Sequence, residues 1–149
     1  MGPTLRVKKI LVPTDFSPHS AFALEIAQQI AKRFSATTSL LHVLVEPAFG
    51  IYVPQTISEE ELREAGFQEA QRQMASFLKK HKSRISSRSI VYRWGLSSVQ
   101  ILKFAKEKKV DLIVMGSLGR TNILDYLIGS TAEHVVRRSK IPVLVVRAK

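Results

Sequence analysis

Five short apolar segments, separated by segments with helical periodicity, constrain the fold of this chain more than any other feature. The predicted strands cover residues 7–13, 39–45, 85–93, 110–116 and 143–147. The first, second and fourth are almost continuously apolar, which is typical of parallel strands covered by helices on both faces. The third, within ISSRSIVYRW, mixes polar and apolar residues, which suits the edge of a sheet. The alternation predicts an α/β fold with a mainly parallel sheet.

The first two predicted helices begin at clear capping signals. Ser17 precedes Pro18, an N-cap serine followed by proline at the first helical position. Ser58 and Glu61 form a capping box, and this second helix is predicted to run to about Lys82. Helical spacing predicts the apolar face of the first helix as Ala23, Ala27, Ile30, Ala31 and Phe34.

The third and fourth predicted helices are shorter. Ser97 or Ser98 begins the third, and Gly129 with the serine and threonine after it begins the fourth. The predicted apolar faces are Ile101, Leu102 and Ala105 in the third helix, and Ala132, Val135 and Val136 in the fourth.

These elements predict one domain, residues 1–149, with helices on both faces of an open five-stranded sheet. Right-handed crossovers leave few topologies, and the strand order that we expect is 3-2-1-4-5. In such a sheet a ligand binds beyond the carboxyl ends of the strands, where the winding reverses. Here that point lies between the first strand, which ends in PTDFS, and the fourth, which ends in MGSLG.

The composition excludes several kinds of protein. The chain has no cysteine, so it has no disulfide, thiolate metal site or cysteine nucleophile. No apolar run reaches the roughly 20 residues that span a bilayer, and the N-terminal apolar patch is too short for a signal sequence. We therefore expect a cytoplasmic protein that does not bind membranes. The 23 Lys and Arg against 12 Asp and Glu give a net charge of +11, which favours anionic partners or serves solubility alone.

The segment MGSLGRTNILDYLIGST, residues 115–131, carries three glycines at the predicted ligand edge. One interpretation is that these glycines only form turns and helix ends, where glycine is common. The other is a phosphate-binding loop, in which Gly116 and Gly119 allow positive φ and close backbone approach. Gly129 would then bring the N–H groups and hydroxyls of Ser130 and Thr131, at the positive end of the helix, to the same anion.

Asp15 lies on the opposite side of the same predicted cleft. As a carboxylate it should avoid phosphates and accept hydrogen bonds from a base or a ribose, as acidic residues do in dinucleotide folds. A turn or N-cap role ahead of the first helix explains its position equally well.

Several other chemistries have no support in the sequence. The P-loop pattern and the dinucleotide G-x-G-x-x-G pattern are both absent. The four histidines lack metal-ligand spacing, and His42, within LLHVLV, is predicted to be a packed strand residue. No serine has an activating partner at a recognisable spacing. No enzyme is evident from these residues.

The glycine spacing, G116-x2-G119-x9-G129-S130, resembles the nucleotide-binding motif of the universal stress protein family. The similarity also includes KKILVPTDFS, LLHVL, DLIVMGSLGR and GSTAEHVVRRSKIPVLVV, so it extends over nearly the whole chain. The resemblance implies a Rossmann-like five-stranded sheet that binds ATP, with Mg²⁺ or Mn²⁺ bridging the phosphates. Leu118 differs from the histidine often found in this loop.

The resemblance also implies a residue-level site. Asp15 and the backbone of Val43 would contact adenine, beside Pro13 and Thr14. Met115 and Gly116 would line the ribose side, and the residues around the phosphates would be Gly119, Arg120, Gly129, Ser130 and Thr131. The family further implies a role in stress response or signalling through a nucleotide-dependent state, with at most weak ATP hydrolysis.

Two more expectations concern partners and a loop. Val143 to Val146 form an apolar edge strand, so we expect a homodimer through this strand, as family members commonly form. The alternative function is a basic module that docks nucleic acid or a protein partner through the +11 surface. Residues 46–57, with Phe49 and Tyr52, would either close over adenine as a lid or pack on the second helix.

Overall fold

The computed structural model describes residues 2, 4–46, 56–118 and 128–148. The five strands are β1 (Lys9–Pro13), β2 (Thr37–Leu44), β3 (Ile90–Trp94), β4 (Leu112–Gly116) and β5 (Val143–Val146). The four helices are α1 (Pro18–Phe34), α2 (Glu59–Lys80), α3 (Ser97–Glu107) and α4 (Ser130–Arg138). All strand pairs are parallel, in the order β3-β2-β1-β4-β5. The predicted α/β fold and strand order are confirmed.

Side-chain alternation along β1 divides the core between the two faces of the sheet. Ile10 and Val12 pack with α1 and α2, whereas Leu11 packs with α3 and α4. All three side chains are fully buried, as expected for a central strand between two helical layers. The winding therefore reverses at β1, which pairs with β2 on one side and β4 on the other.

The helix starts follow the sequence closely. The hydroxyl of Ser17 accepts a hydrogen bond from the Ser20 N–H, and Pro18 is the first residue of α1. Ser58 and Glu61 form both hydrogen bonds of the predicted capping box. Gly129 is the N-cap of α4, as predicted. In α3 the N-cap is Leu96, so Ser97 is the first helical residue and does not cap the helix with its side chain.

Some predicted boundaries and faces were wrong. β3 begins at Ile90 rather than at 85, because the Ser86 hydroxyl accepts from the Arg88 N–H and starts a 3₁₀ turn ahead of the strand. Phe34 is 42% exposed, since it is the last residue of α1, where Ser35 turns the chain with a left-handed conformation. Val136 is 47% exposed on the outer side of α4. Periodicity identifies a helical face, but not how far its neighbours cover it.

Candidate functional site

A cavity of about 300 Å³ opens at the carboxyl ends of β1, β2 and β4. It lies where the sheet winding reverses, so it occupies the edge that the topology predicts for a ligand. Turns and helix starts from both layers surround it. Its lining residues are Pro13, Thr14, Asp15, Ser20, Leu41, His42, Val43, Ser97, Ile101, Met115, Gly116, Ser117, Leu118, Gly129, Ser130, Thr131 and Ala132.

Nine of the eleven residues predicted for nucleotide binding line this cavity. They are Pro13, Thr14, Asp15, Val43, Met115, Gly116, Gly129, Ser130 and Thr131. The other two, Gly119 and Arg120, lie outside the described residues, as do residues 47–55 of the predicted lid with Phe49 and Tyr52. The structure thus brings nine predicted residues around one space.

The turn from β1 to α1 forms one side of the cavity, which we name the first lip (residues 13–20). Thr14 donates its N–H to the Leu41 carbonyl at 2.8 Å, and its hydroxyl accepts from the Phe16 N–H at 3.0 Å. The same hydroxyl lies 3.0 Å from that of Ser20. The Asp15 carboxylate accepts from the Ser17 N–H at 3.0 Å, which is the turn role anticipated for it. Its half-buried position at the cavity leaves the remaining acceptor positions of the carboxylate for a ligand.

Phe16 holds His42 at the back of the first lip. Phe16 has φ of 66°, a left-handed conformation that costs a non-glycine residue roughly 1–2 kcal/mol. Its ring stacks on the His42 ring at a centroid distance of 4.3 Å. His42 Nδ1 lies 2.8 Å from the Thr14 carbonyl, and because a carbonyl only accepts, Nδ1 carries the proton. His42 is packed as predicted, but it also lines the cavity, which the sequence did not show.

Tyr92 extends this ring cluster toward the edge strand β3. Its ring meets the His42 ring edge-on at 6.4 Å and the Phe67 ring at 5.2 Å. Burial raises the pKa of the Tyr92 hydroxyl, so the phenol stays uncharged at neutral pH. An aromatic cluster therefore packs behind the first lip.

The segment from the end of β4 to the start of α4 forms the other side, which we name the second lip (its described residues are 115–118 and 128–132). The Ser117 N–H donates to the Val146 carbonyl and the Ser117 carbonyl accepts from the Gly129 N–H, each at 2.7 Å. These two bonds fix the start of α4 against the end of β4. α4 has no side-chain cap, and its first intrahelical bond runs from the Glu133 N–H to the Gly129 carbonyl. The N–H groups of Ser130 and Thr131 therefore have no acceptor within the helix.

The Ser117 side chain is the exception among buried polar groups of the described residues. Ser117 is 3% exposed, and its hydroxyl has no hydrogen-bond partner in the described part of the chain. An unpaired buried hydroxyl costs roughly 1–3 kcal/mol. Sequence reasoning missed this residue, although its place two positions after Met115, beyond the end of a strand at the ligand edge, was a usable signal.

Gly116 has a different role from the predicted one. A Cβ at this position would lie 2.8 Å from both the carbonyl carbon and the Cβ of His19, so glycine allows β4 and α1 to approach closely. Gly95 is the only described glycine with positive φ, and Gly129 has φ of −63°. Gly116 therefore does not use the positive φ that glycine allows. The close approach is between the backbone of β4 and α1.

The start of α3 also opens on the cavity, and sequence reasoning did not place it there. Leu96 makes no side-chain cap, while Ser97 and Ile101, one helical turn apart, line the cavity. The signal was topological: α3 follows β3, whose neighbour β2 ends at this edge. Two helices without side-chain caps thus begin beside the same space.

Residues 2, 4–46, 56–118 and 128–148 contain neither a metal-ligating cluster nor a membrane-spanning helix. No group of three or more His, Cys, Asp or Glu side chains that could hold a metal ion occurs in these ranges. Over the same residues, no helix combines the length and apolar character needed to cross a membrane.

The family model of the universal stress protein family matches residues 6–147. The chain therefore belongs to the universal stress protein family. Among its relatives, universal stress protein MJ0531 of Methanocaldococcus jannaschii is 36% identical over 143 residues, covering 94% of this chain and 82% of the relative. Universal stress protein MJ0577 of the same organism is 32% identical over 155 residues, covering 95% of this chain and 96% of the relative.

Solved structures show the same fold. The structure of MJ0577 superimposes with a TM-score of 0.77 and covers 97% of this chain and 98% of its own. A universal stress protein solved in complex with cAMP is 26% identical, with a TM-score of 0.60, covering 95% of this chain and 98% of its own. One structural relative is thus known with a bound cyclic nucleotide.

Proposed function

We propose that this protein binds ATP in the cavity between the two lips. The observation that carries the proposal is the start of α4, which lacks a side-chain cap and opens on the cavity. Backbone N–H groups and the positive end of a helix are a ready anion site, and phosphate is the anion that they most often hold. The volume of about 300 Å³ lies at the lower end of the range for small-molecule sites.

The charges at the two lips determine the orientation of the bound nucleotide. Phosphates belong at the second lip, near Gly129, Ser130 and Thr131, and a carboxylate would repel them from the first lip. The Asp15 carboxylate is an acceptor, which matches a donor such as the exocyclic amino group of adenine or a ribose hydroxyl. Adenine would lie beside Asp15 and Val43, with the ribose along Met115 and Gly116.

The family resemblance supports a divalent ion, Mg²⁺ or Mn²⁺, bridging the phosphates. Such an ion would neutralise part of the phosphate charge and would be held chiefly by phosphate oxygens and water. Gly119, which belongs to the family motif, and Arg120, which follows it in the sequence, would complete the proposed phosphate site.

The function that follows is a cytoplasmic stress-response protein whose state depends on a bound nucleotide. We favour binding and switching over a dedicated ATPase, because the Asp15 carboxylate at the cavity lies on the first lip, opposite the proposed phosphate site. The relative solved with cAMP makes cyclic AMP the second candidate ligand. It carries a single phosphodiester charge, so the open helix start favours ATP over it.

Calorimetry with ATP and with cAMP tests the proposal. Gly129→Val places a β-branched side chain where phosphates approach α4, and should weaken ATP binding at least tenfold, about 1.4 kcal/mol. Gly129→Ala is the matched control, because it adds one methyl group and should weaken binding less. Circular dichroism verifies folding. A folded Val variant with unchanged ATP affinity would contradict the proposed phosphate site.

We also propose a homodimer through β5. Within the described chain β5 pairs only with β4, and Leu144 is 37% exposed. An apolar edge strand invites pairing, and a two-fold contact places it against its own copy. Leu144→Lys should give monomers in sedimentation equilibrium, with Arg147→Lys as a control that keeps the charge at the strand end. A wild-type protein that is monomeric at tens of micromolar, roughly where a weak specific interface still assembles, would rule out the dimer.

A further inference from the structure

The end of the sheet opposite the cavity carries a concentration of positive charge. The helices α1, α3 and α4 end there, because each runs antiparallel to the strands that it connects. We name this surface the basic end; it comprises nine exposed side chains: Lys8, Lys9, Lys32, Arg33, Lys106, Lys108, Lys109, Arg138 and Lys140. Cations at helix C-termini are favoured by the helix dipole, so the topology collects them at one edge.

Contacts show that the central part of the basic end is continuous. Lys9 Nζ donates to the Lys108 carbonyl at 3.0 Å, which joins β1 to the end of α3. The Lys8 carbonyl accepts from the Thr37 N–H at 2.9 Å, which joins β1 to the segment that follows α1. Lys8, Lys9 and Lys108 therefore lie on one continuous surface.

The charge of the basic end has little local compensation. The nearest carboxylates in sequence are Glu107 and Asp111. Glu107 pairs with Arg93, and Asp111 accepts the N–H groups of Lys8 and Lys9 at 2.8 and 2.9 Å, so these two carboxylates offset at most two of the nine positive charges. Among the described residues, the ion pairs engage Arg63, Arg72, Arg93 and Arg137, and none engages a member of the basic end.

We propose that the basic end binds a nucleic-acid backbone, independently of sequence, through its phosphates. A basic surface on one face of a domain with a pI of about 10.3 is the electrostatic footprint of nucleic-acid binding. An anionic bilayer fits less well. The helices meet this surface by their ends, so none lies in its plane with an apolar face to insert. This activity is separate from nucleotide binding, since the cavity is at the other end of the strands.

The binding assay uses a fluorescein-labelled 20-base-pair DNA duplex and fluorescence anisotropy. About five phosphate contacts give a slope of about −4.5 for log K against log salt, so affinity should fall several hundredfold between 50 and 200 mM KCl. Absence of duplex binding by the wild type at 50 mM KCl would overturn the proposal.

Two variants of equal charge locate the binding surface. The test variant combines Lys32→Gln, Arg33→Gln and Lys108→Gln at the basic end. The control combines Lys79→Gln, Lys80→Gln and Arg147→Gln, which also removes two lysines and one arginine. Its residues lie elsewhere, because the last turns of α2 pack near Phe16 through Phe77 at 5.7 Å, and Arg147 follows the carboxyl end of β5.

The test variant should bind the duplex at least tenfold more weakly, with a salt slope shallower by about 3, since each lost phosphate contact removes about 1. The control should stay within about twofold of the wild type. Equal losses in both variants would show a general charge effect and overturn the assignment.

Two competitors distinguish duplex binding at the basic end from binding in the cavity and from binding to a lipid surface. Mg·ATP at matched ionic strength should leave duplex binding unchanged, whereas displacement of the duplex would place its phosphates in the cavity and contradict the proposal. Vesicles rich in phosphatidylserine should compete weakly. Stronger binding to vesicles than to the duplex, with the same loss in the test variant, would identify a lipid surface instead and overturn the nucleic-acid assignment.

Discussion

The two lips of the cavity differ in how they satisfy their own polar groups. The first lip is internally bonded: Thr14 with Ser20, Phe16 with Thr14, and Ser17 with Asp15. The Ser20 hydroxyl also donates to the Ser17 carbonyl at 2.9 Å. This turn holds its shape without a ligand.

In the described part of the second lip, some polar groups lack a hydrogen-bond partner. The Ser117 hydroxyl has no partner among the described residues, and α4 begins without a side-chain cap. The first lip, whose polar groups bond to one another, therefore acts as a fixed wall. The second lip has unpaired hydrogen-bond donors among its described residues, so an anion gains the most binding free energy there. An N-cap side chain at α4 would have closed this start, as Ser17 closes that of α1.

Closing the second lip with a charged cap should have the largest effect. Gly129→Asp would cap α4 and place a negative charge where phosphates are proposed to bind. We expect ATP affinity to fall about 100-fold, or about 2.7 kcal/mol, in calorimetry. Gly129→Asn caps equally well without the charge, and should lose less than about tenfold. Gly129 has φ of −63°, so both residues fit the backbone. Equal affinities for wild type and Gly129→Asp would remove the distinction between the lips.

Two buried serines, one in each lip, allow the lips to be compared by their effect on the free energy of unfolding. Ser20 and Ser117 are each 3% exposed, but only Ser20 has hydroxyl partners in the described chain. Ser20→Ala should lower the free energy of unfolding by about 1–2 kcal/mol, whereas Ser117→Ala should leave it unchanged or raise it by about 1 kcal/mol. Urea unfolding of both variants measures this. A loss in Ser117→Ala as large as that in Ser20→Ala would show that Ser117 is bonded after all.

The start of α2, outside the cavity, provides the smallest test. Hydrogen bonds from the Ser58 backbone N–H and then its side chain lower the pKa of Glu61. A carboxyl with a lowered folded-state pKa stabilises the fold above its unfolded pKa, and this contribution is lost as pH falls through the folded value. Glu61→Gln should therefore be slightly less stable than wild type at pH 7, and the two should converge between about pH 5 and 3. A constant difference over that range would contradict the capping contribution.

Local chemistry explains which parts of the fold were predictable. Ser17 with Pro18, and Ser58 with Glu61, specify helix starts within a few residues. Apolar runs indicate the strands, and right-handed crossovers restrict their order. The start of β3 was misplaced because a serine turn interrupts an apolar stretch. Phe34 was assigned to the core because periodicity does not show where a neighbouring element ends.

Only those features of the site that follow from the sheet topology were predictable. The reversal of winding at β1 brings Asp15, Met115 and Gly129 to one edge, and this follows from strand order alone. The close approach of Gly116 to His19 and the open hydroxyl of Ser117 depend on contacts between distant segments, which residue spacing does not encode. Gly119 and Arg120 lie outside the described residues, so their roles stay predictions.

The position of β1 in the sheet has a consequence for synthesis on the ribosome. This central strand is made early, and β2 can cover one of its edges soon afterward. Its other partner begins at Leu112, which pairs with Ile10 after 102 further residues have been added. At roughly 5–20 residues per second, the second edge of β1 waits about 5–20 s for β4. During that interval the nascent chain exposes an apolar strand edge, so chaperones that bind extended apolar segments have their longest opportunity there.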